Sequence, residues 1–233
     1  MVTTDGHRLA YVECAIADKE GVMDTLIPKK ALLELVKISR GEGEVSFGED
    51  PNHIYFEVEG RLLITRKLSG SFPNYEMVIP KNAEHTAIFD LEEMRNAVRR
   101  MSLIADERNR SIRLTVRTGE IEVIAQSTEE GDGSEVVQAD YKGDEIQLGF
   151  NWQYLIEFLN NVDAVNAASA ADADDSSSTA AATAAAAGTA PAREAATRTR
   201  IAFDFKDANA GTQMSIAGEN TYDYKYIVMP LRI

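Results

Sequence analysis

A recurring unit, one amphipathic helix followed by short alternating strands, appears three times in these 233 residues and restricts the fold more than any other feature. The first helix starts at Pro28, a residue suited to the opening turn, and sets Leu32, Leu35, Val36 and Ile38 on one broad face until Gly41 ends it. Strands are expected near 44–47, 53–59 and 62–68, separated by Asp50-Pro51-Asn52 and by Gly60. The second helix starts at Asp90, an N-cap with Glu93 three residues on, and carries Leu91, Met94, Val98 and Met101. Its strands fall at 112–116 and 121–125 around Thr118-Gly119, then at 136–141 and 146–150. Asn151 caps the third helix, which carries Leu155, Phe158, Leu159 and Val162, and strands follow at 201–205, 213–217 and 224–229. Such a unit cannot bury its own apolar face, so copies must pack side by side with their helices on one surface. The expected class is α+β. Copies two and three make a complete domain, whereas copy one lacks a mate, so Met1 reads as an internal starting point.

One stretch breaks the pattern. Residues 167–197 are almost entirely Ala, Ser, Thr and Asp, with no aromatic or large aliphatic side chain. Such a segment cannot build a core and reads as a disordered surface insertion, with transient helix at 180–187 as the alternative. Elsewhere, 44% hydrophobic residues suffice for a core without staples, and the single Cys14 cannot form an intramolecular disulfide. The chain has neither signal-peptide pattern nor an apolar run of about 20 residues, so a reducing cytoplasm and no membrane role are expected. A net charge of −14 disfavours nucleic acid overall but leaves room for a local basic strip.

Four strings make the reading specific: Thr4-Asp5-Gly6-His7-Arg8-Leu9-Ala10, Phe72-Pro73-Asn74-Tyr75 followed by Val78-Ile79-Pro80-Lys81, Gly149-Phe150-Asn151 before a helix, and the terminal Val228-Met229-Pro230-Leu231-Arg232-Ile233. In order and spacing they resemble the β subunit of bacterial DNA polymerase III, the sliding-clamp family. The resemblance covers nearly the whole chain outside the insertion. It implies the DNA-clamp fold, with helices lining a hole and sheets outside. It also implies a homodimeric ring around duplex DNA that tethers the polymerase without being an enzyme. Residues 1–70 would be a partial middle domain, 71–83 a connector and 84–233 the C-terminal domain carrying the insertion.

Three surfaces follow from the resemblance. A peptide pocket would comprise Thr4, Gly6, His7, Arg8, Leu9, Pro73, Val78, Asn151, Tyr154, Ile227, Val228, Met229, Pro230, Leu231 and Arg232. It would receive short apolar motifs from the DNA polymerase III catalytic subunit, the clamp loader and repair polymerases. The residue types suit such binding, because an aliphatic wall buries a Leu or Phe while His7, Arg8 and Asn151 orient polar atoms. Taken singly, Asp5-Gly6 is equally a turn and Ile227-Val228-Met229 a core strand. Met77 stands where many relatives carry Arg. Basic residues on the helices, Lys29, Lys30, Lys37, Arg95 and Arg99, would face DNA phosphates without reading bases, or form an ordinary solvated face. Leu103, Ile104, Glu129, Glu130, Asp132 and Glu135 would form one half of a dimer contact, with helix-end core as the other reading of Leu103 and Ile104.

Catalysis is not expected. Asp5 and His7 have no nucleophile nearby, and the three histidines and one cysteine show no metal-ligand spacing. No Gly-rich loop opens a helix in phosphate-binding form, so no cofactor is expected. A nuclease would need clustered carboxylates that the sequence lacks. The rival reading is a stand-alone clamp-peptide-binding module unable to encircle DNA.

Overall fold

The second and third helices begin at the caps that the sequence marks. In the computed structural model, which describes residues 1–14, 24–39, 44–81, 83–106, 108–128, 131–162, 198–218 and 222–232, Asp90 accepts a 3.0 Å hydrogen bond from the Glu93 backbone. Asn151 likewise accepts from the backbone N–H of Gln153 at 2.9 Å. Pro28, expected in the opening turn, instead lies just before the first helix in extended conformation with no side-chain cap, and that helix ends at Ile38, while Gly41 lies outside the described residues. The chain forms two compact units, Met1–Ala15 with Glu76–Ile233, and Ile16–Tyr75.

The smaller unit holds helix α1 (Lys29–Ile38) and a meander of β3 (Val45–Glu49), β4 (His53–Val58) and β5 (Arg61–Arg66). Its buried apolar residues are Ile54, Phe56 and Val58 on the central strand and Ala31 on the helix. Among the described residues no other core is present in this unit.

The larger unit contains β1 (Val2–Thr4), β2 (Arg8–Cys14), β6 (His85–Asp90), α2 (Leu91–Ser102), β7 (Ser111–Arg117), β8 (Glu120–Ser127), β9 (Gly131–Asp140) and β10 (Ile146–Asn151). It continues with α3 (152–162), β11 (Arg200–Phe205), β12 (Thr212–Ile216) and β13 (Tyr222–Val228). The strands form one antiparallel sheet in the order β1-β2-β13-β12-β11-β6-β9-β8-β7-β10. Two strand–helix–meander repeats are interleaved in it. The strand entering each helix pairs with the first meander strand of the other repeat, β6 with β11 and β10 with β7. Alternation puts Phe203 and Phe205 inside on β11 and Phe150 inside on β10, where Phe203 lies 5.2 Å from Phe205 and 6.0 Å from Phe150 between ring centres. Burying a side chain of this size contributes roughly 1.5–3 kcal/mol.

Two expectations change. Strand β6 is absent from the sequence reading, and 146–150 ends the second repeat there instead of opening the third. Both strands find their partners far along the chain, so local periodicity does not reveal the assignment. The expected partition at 1–70, 71–83 and 84–233 follows the order of the repeats. Compact packing divides the chain differently, because β2 pairs with β13 from Arg8–Val228 to Cys14–Tyr222. The expected insertion at 167–197 lies outside the described residues. Among the described residues no helix is long and apolar enough to cross a membrane.

Candidate functional site

The turn joining β1 to β2 is built by its own side chains. Asp5 Oδ1 accepts from the backbone N–H of His7 at 3.0 Å and of Arg8 at 3.1 Å, the hydrogen-bonding pattern of an Asx-turn. The Thr4 hydroxyl donates to the Arg8 carbonyl at 2.7 Å and accepts from Gly6 N–H at 3.2 Å. Gly6 has φ +87°, a left-handed conformation that costs a residue with a Cβ about 1–2 kcal/mol. Thus Asp5-Gly6 is a turn by necessity, and that turn aims Arg8. Burial raises the Asp5 carboxyl, but the His7 and Arg8 backbone donors and the Arg8 guanidinium outweigh it and hold the pKa below the usual value.

Arg8 ties this turn to α3 and β13. Its Nε lies 3.0 Å from Asp5 Oδ2, and its Nη1 donates to Glu157 Oε2 at 2.5 Å and to the Tyr226 hydroxyl at 3.1 Å. The guanidinium also sits 4.4 Å over the Tyr154 ring, a cation–π contact worth about 0.5–1 kcal/mol at an exposed site. Burial works against the Arg8 charge, and the bonds to Tyr226 and Glu157 outweigh it and raise its pKa. Burial above all pushes Tyr226 up to about 12. Glu157, Tyr226 and Asp5 were not singled out from sequence as site residues. The signals available were the Tyr154–Glu157 spacing of three on one helix and the inward parity of Tyr226 with Tyr224 and Val228.

After β13 the chain crosses the mouth of this network. Met229 N–H donates to the His7 carbonyl at 3.0 Å, and Leu231 N–H donates to Gly149 at 2.8 Å, just ahead of the Asn151 cap. Residues 4–9, 149–154 and 227–231 are therefore brought together within the larger unit. They divide by exposure. Leu9, Ile227 and Val228 are core residues, at most 2% exposed, and shape the wall from behind without offering side-chain surface. Met229 is 42% exposed and Val78 43%, while Tyr154, Pro230 and Leu231 are partly exposed, so these present apolar surface to solvent. Thr4, Gly6, His7 and Arg232 are exposed, as is Met77 at the position noted above. Pro73 is exposed in the smaller unit. A 370 Å³ hollow lies elsewhere, beside the start of α2, lined by Asp90, Leu91, Glu92, Glu93, Asn96, Arg198 and Thr199.

The basic residues separate similarly. Lys29, Lys30, Lys37 and Arg99 are exposed, Lys37 bonding Glu34 at 2.8 Å and Arg99 bonding Asn160 at 2.8 Å. Arg95 is a correction: it is only 7% exposed and pairs with Glu92 at 3.1 Å, so it does not face solvent. The reason is the breadth of the buried face. Counting from the cap, positions four, five and eight point inward on both α2 and α3, and Arg95 occupies the fifth.

Leu103 is 80% exposed while Ile104 packs against the core, so only Ile104 has the burial that the helix-end core reading expects. Asp132 and Glu135 lie on β9, where Glu135 is held by Arg100, which keeps its carboxyl below the usual range. Glu129 and Glu130 lie outside the described residues. Strand β9 pairs with β8 along its length but with β6 only at Ala139 and Asp140, leaving the edge of 131–138 open among the described residues.

Two family profiles match consecutive stretches: the central domain of the DNA polymerase III beta subunit over residues 1–74, and its C-terminal domain over 76–170. A beta sliding clamp of Pseudomonas putida is 28% identical over all of this chain and 54% of its own length. That of Pseudomonas aeruginosa is 33% identical over 68% of this chain and 44% of its own. The crystal structure of the DNA polymerase sliding clamp from Caulobacter crescentus superposes with a TM-score of 0.77 at 26% identity, covering all of this chain and 53% of that one. The chain spans about half the length of the curated relatives it matches.

Proposed function

Because this chain belongs to the beta sliding clamp family of bacterial DNA polymerase III and has its DNA-clamp fold, we propose that it acts in replication as part of a processivity factor. In this reading a non-catalytic subunit closes a ring around duplex DNA in the bacterial cytoplasm. It tethers the polymerase catalytic subunit, the clamp loader and repair polymerases through an apolar peptide groove. The observation that carries the proposal is the convergence of the β1–β2 turn, the chain after β13 and the start of α3. Met229, Pro230, Leu231 and Tyr154 meet solvent there beside the Arg8 network. An incoming Leu or Phe buries itself against this wall, and exposed backbone and His7 fix its direction. Tethering needs no bond-making step, so no cofactor is assigned.

Lys29, Lys30, Lys37 and Arg99 are the assigned phosphate contacts, without base readout, as sliding requires. Ring closure is assigned to the surface around Leu103, Ile104, Asp132 and Glu135. There the open β9 edge could accept a strand as β13 accepts β2. The second reading is a peptide-binding module unable to encircle DNA, and what favours it is that residues 4–9, 149–154 and 227–231 converge within the larger unit alone.

The test uses a fluorescently labelled short apolar peptide ending in Leu-Phe. Polarisation should report binding, and Met229→Ala with Leu231→Ala should weaken it about tenfold or more. Absence of binding, or indifference to both substitutions, refutes the groove. Retention on nicked circular DNA with release on linearisation supports ring closure, whereas weak binding that is equal on both forms and steeply salt-dependent supports the module.

A further inference from the structure

We infer that Glu157 is a positioning residue of the groove: through Arg8 it steadies the face of Tyr154 and so raises the affinity for an apolar peptide, an inference that rests on the groove reading above. The guanidinium over Tyr154 needs two anchors. Asp5 supplies one at Nε, 3.0 Å away. A single hydrogen bond there fixes a point and leaves the planar group free to tilt about it. The second anchor is at Nη1, where Glu157 Oε2 accepts at 2.5 Å and the Tyr226 hydroxyl oxygen at 3.1 Å. The guanidinium is a rigid fork, so two anchors set its plane, and its Cζ rests 4.4 Å from the Tyr154 ring centre.

The three partners of Arg8 have different duties. Asp5 Oδ1 is taken by the backbone N–H groups of His7 and Arg8, so Asp5 builds the turn as well. Tyr226 is 6% exposed and stacks on Phe158 with 5.3 Å between ring centres, so it belongs to the core. The Glu157 side chain is 55% exposed and among the described residues bonds Arg8 alone. An ion pair so open to water adds little to the stability of the fold. What it adds is order. Tyr154 and Glu157 stand three apart on α3 and are neighbours on its surface, so the helix that presents the ring also presents the carboxylate that keeps the cation above it. The His7 carbonyl, next in the chain to Arg8, accepts from Met229 N–H at 3.0 Å, so the held guanidinium and the apolar wall share one frame.

Without Glu157 the Arg8 side chain regains rotamers and the Tyr154 ring loses the cation on its face. A ligand must then order these side chains on arrival, a cost that the wild-type chain has already met in folding. Ordering one such side chain corresponds to an affinity loss of about threefold to tenfold. Gln at position 157 keeps the shape and an acceptor oxygen but removes the charge, and a charge-assisted hydrogen bond is about twice as strong as a neutral one. Lys there places a second cation beside Arg8 and drives it off.

Polarisation of the labelled apolar peptide with the whole 233-residue chain tests this. Glu157→Gln should weaken binding about threefold to tenfold, and Glu157→Lys at least as much, with an unchanged circular-dichroism spectrum and a melting temperature within about 2 °C of wild type. Glu145→Gln, which takes a carboxylate from Arg117 elsewhere on the larger unit, should leave binding unchanged. Two readouts separate positioning from a general effect of charge. In an Arg8→Met background Glu157→Gln should add no further loss, because Glu157 acts through Arg8. In the free chain the Tyr154 ring current should move the Arg8 δ-methylene resonance upfield, and Glu157→Gln and Tyr154→Leu should each reduce that shift. A chain that binds the peptide, loses it with Met229→Ala and ignores Glu157→Gln overturns the inference and leaves the groove standing. So does an equal loss from Glu157→Gln with and without Arg8, or an Arg8 resonance that Glu157→Gln does not move. A wild-type chain that binds no peptide overturns the groove itself, and the inference with it.

Discussion

The larger and smaller units are built from one repeat and differ in how much of that repeat is buried among the described residues. In the larger unit β6 and β10 exchange partners between repeats, and a phenylalanine cluster closes between them. In the smaller unit the same helix face and strand face are exposed, and among the described residues burial is confined to one strand and Ala31. Apolar patterning is therefore equal in the two units while its energetic return is not, since transfer free energy follows the area removed from water.

The sharpest way to break this comparison is a pair of truncations in dilute protein. Phe203→Ala should cost about 3–5 kcal/mol in urea unfolding, and Phe47→Ala less than about 1 kcal/mol. Equal costs would mean that β3 already lies in a core. A smaller difference is expected at alkaline pH. Burial pushes Tyr224 and Tyr226 of the larger unit up to about 12. A raised folded pKa gives stability that is present below the unfolded value near 10 and lost as pH rises from 10 towards 12. Melting followed against tyrosinate absorbance should show that loss, and Tyr226→Phe should shrink it.

The smaller unit should also respond to acid, through a carboxylate of its own. Asp50 is held well below the usual carboxylate range, first by the Tyr55 hydroxyl and then by the Asn52 and His53 backbone donors. A depressed folded pKa gives stability present above the ordinary carboxyl range and lost as pH falls through the folded value. Asp50→Asn should flatten the acid limb of amide-exchange protection in β3–β5 and leave that of β7–β10 alone. The smallest effect sharpens the comparison at the helix starts: Asp90→Ala should cost about 1 kcal/mol, whereas Pro28→Ala removes no side-chain cap and should cost less. Differential scanning calorimetry separates the two.

Much of this was legible in the residues. The caps at Asp90 and Asn151, the helix stripes and most strands follow from local periodicity, because each depends on neighbours within a few positions. Strand β6 was not legible, since its alternation acquires meaning only opposite β11, more than a hundred residues later in sequence. In the candidate groove the gathering of Thr4–Leu9 with Met229–Leu231 was readable as paired motifs. That Leu9, Ile227 and Val228 back the wall, and that Glu157 and Tyr226 hold Arg8, was not. Arg95 shows the same limit: its charge suggested solvent, and the breadth of the buried α2 face takes it in.

The sequence by itself determined the repeat, the class of fold and the family, because these rest on patterns of residue type and spacing. Tertiary structure decided how the repeats of the larger unit interleave, which wall residues meet solvent and which cations are exposed. Those outcomes depend on what packs against a residue, and in an interleaved sheet that neighbour lies far away along the chain.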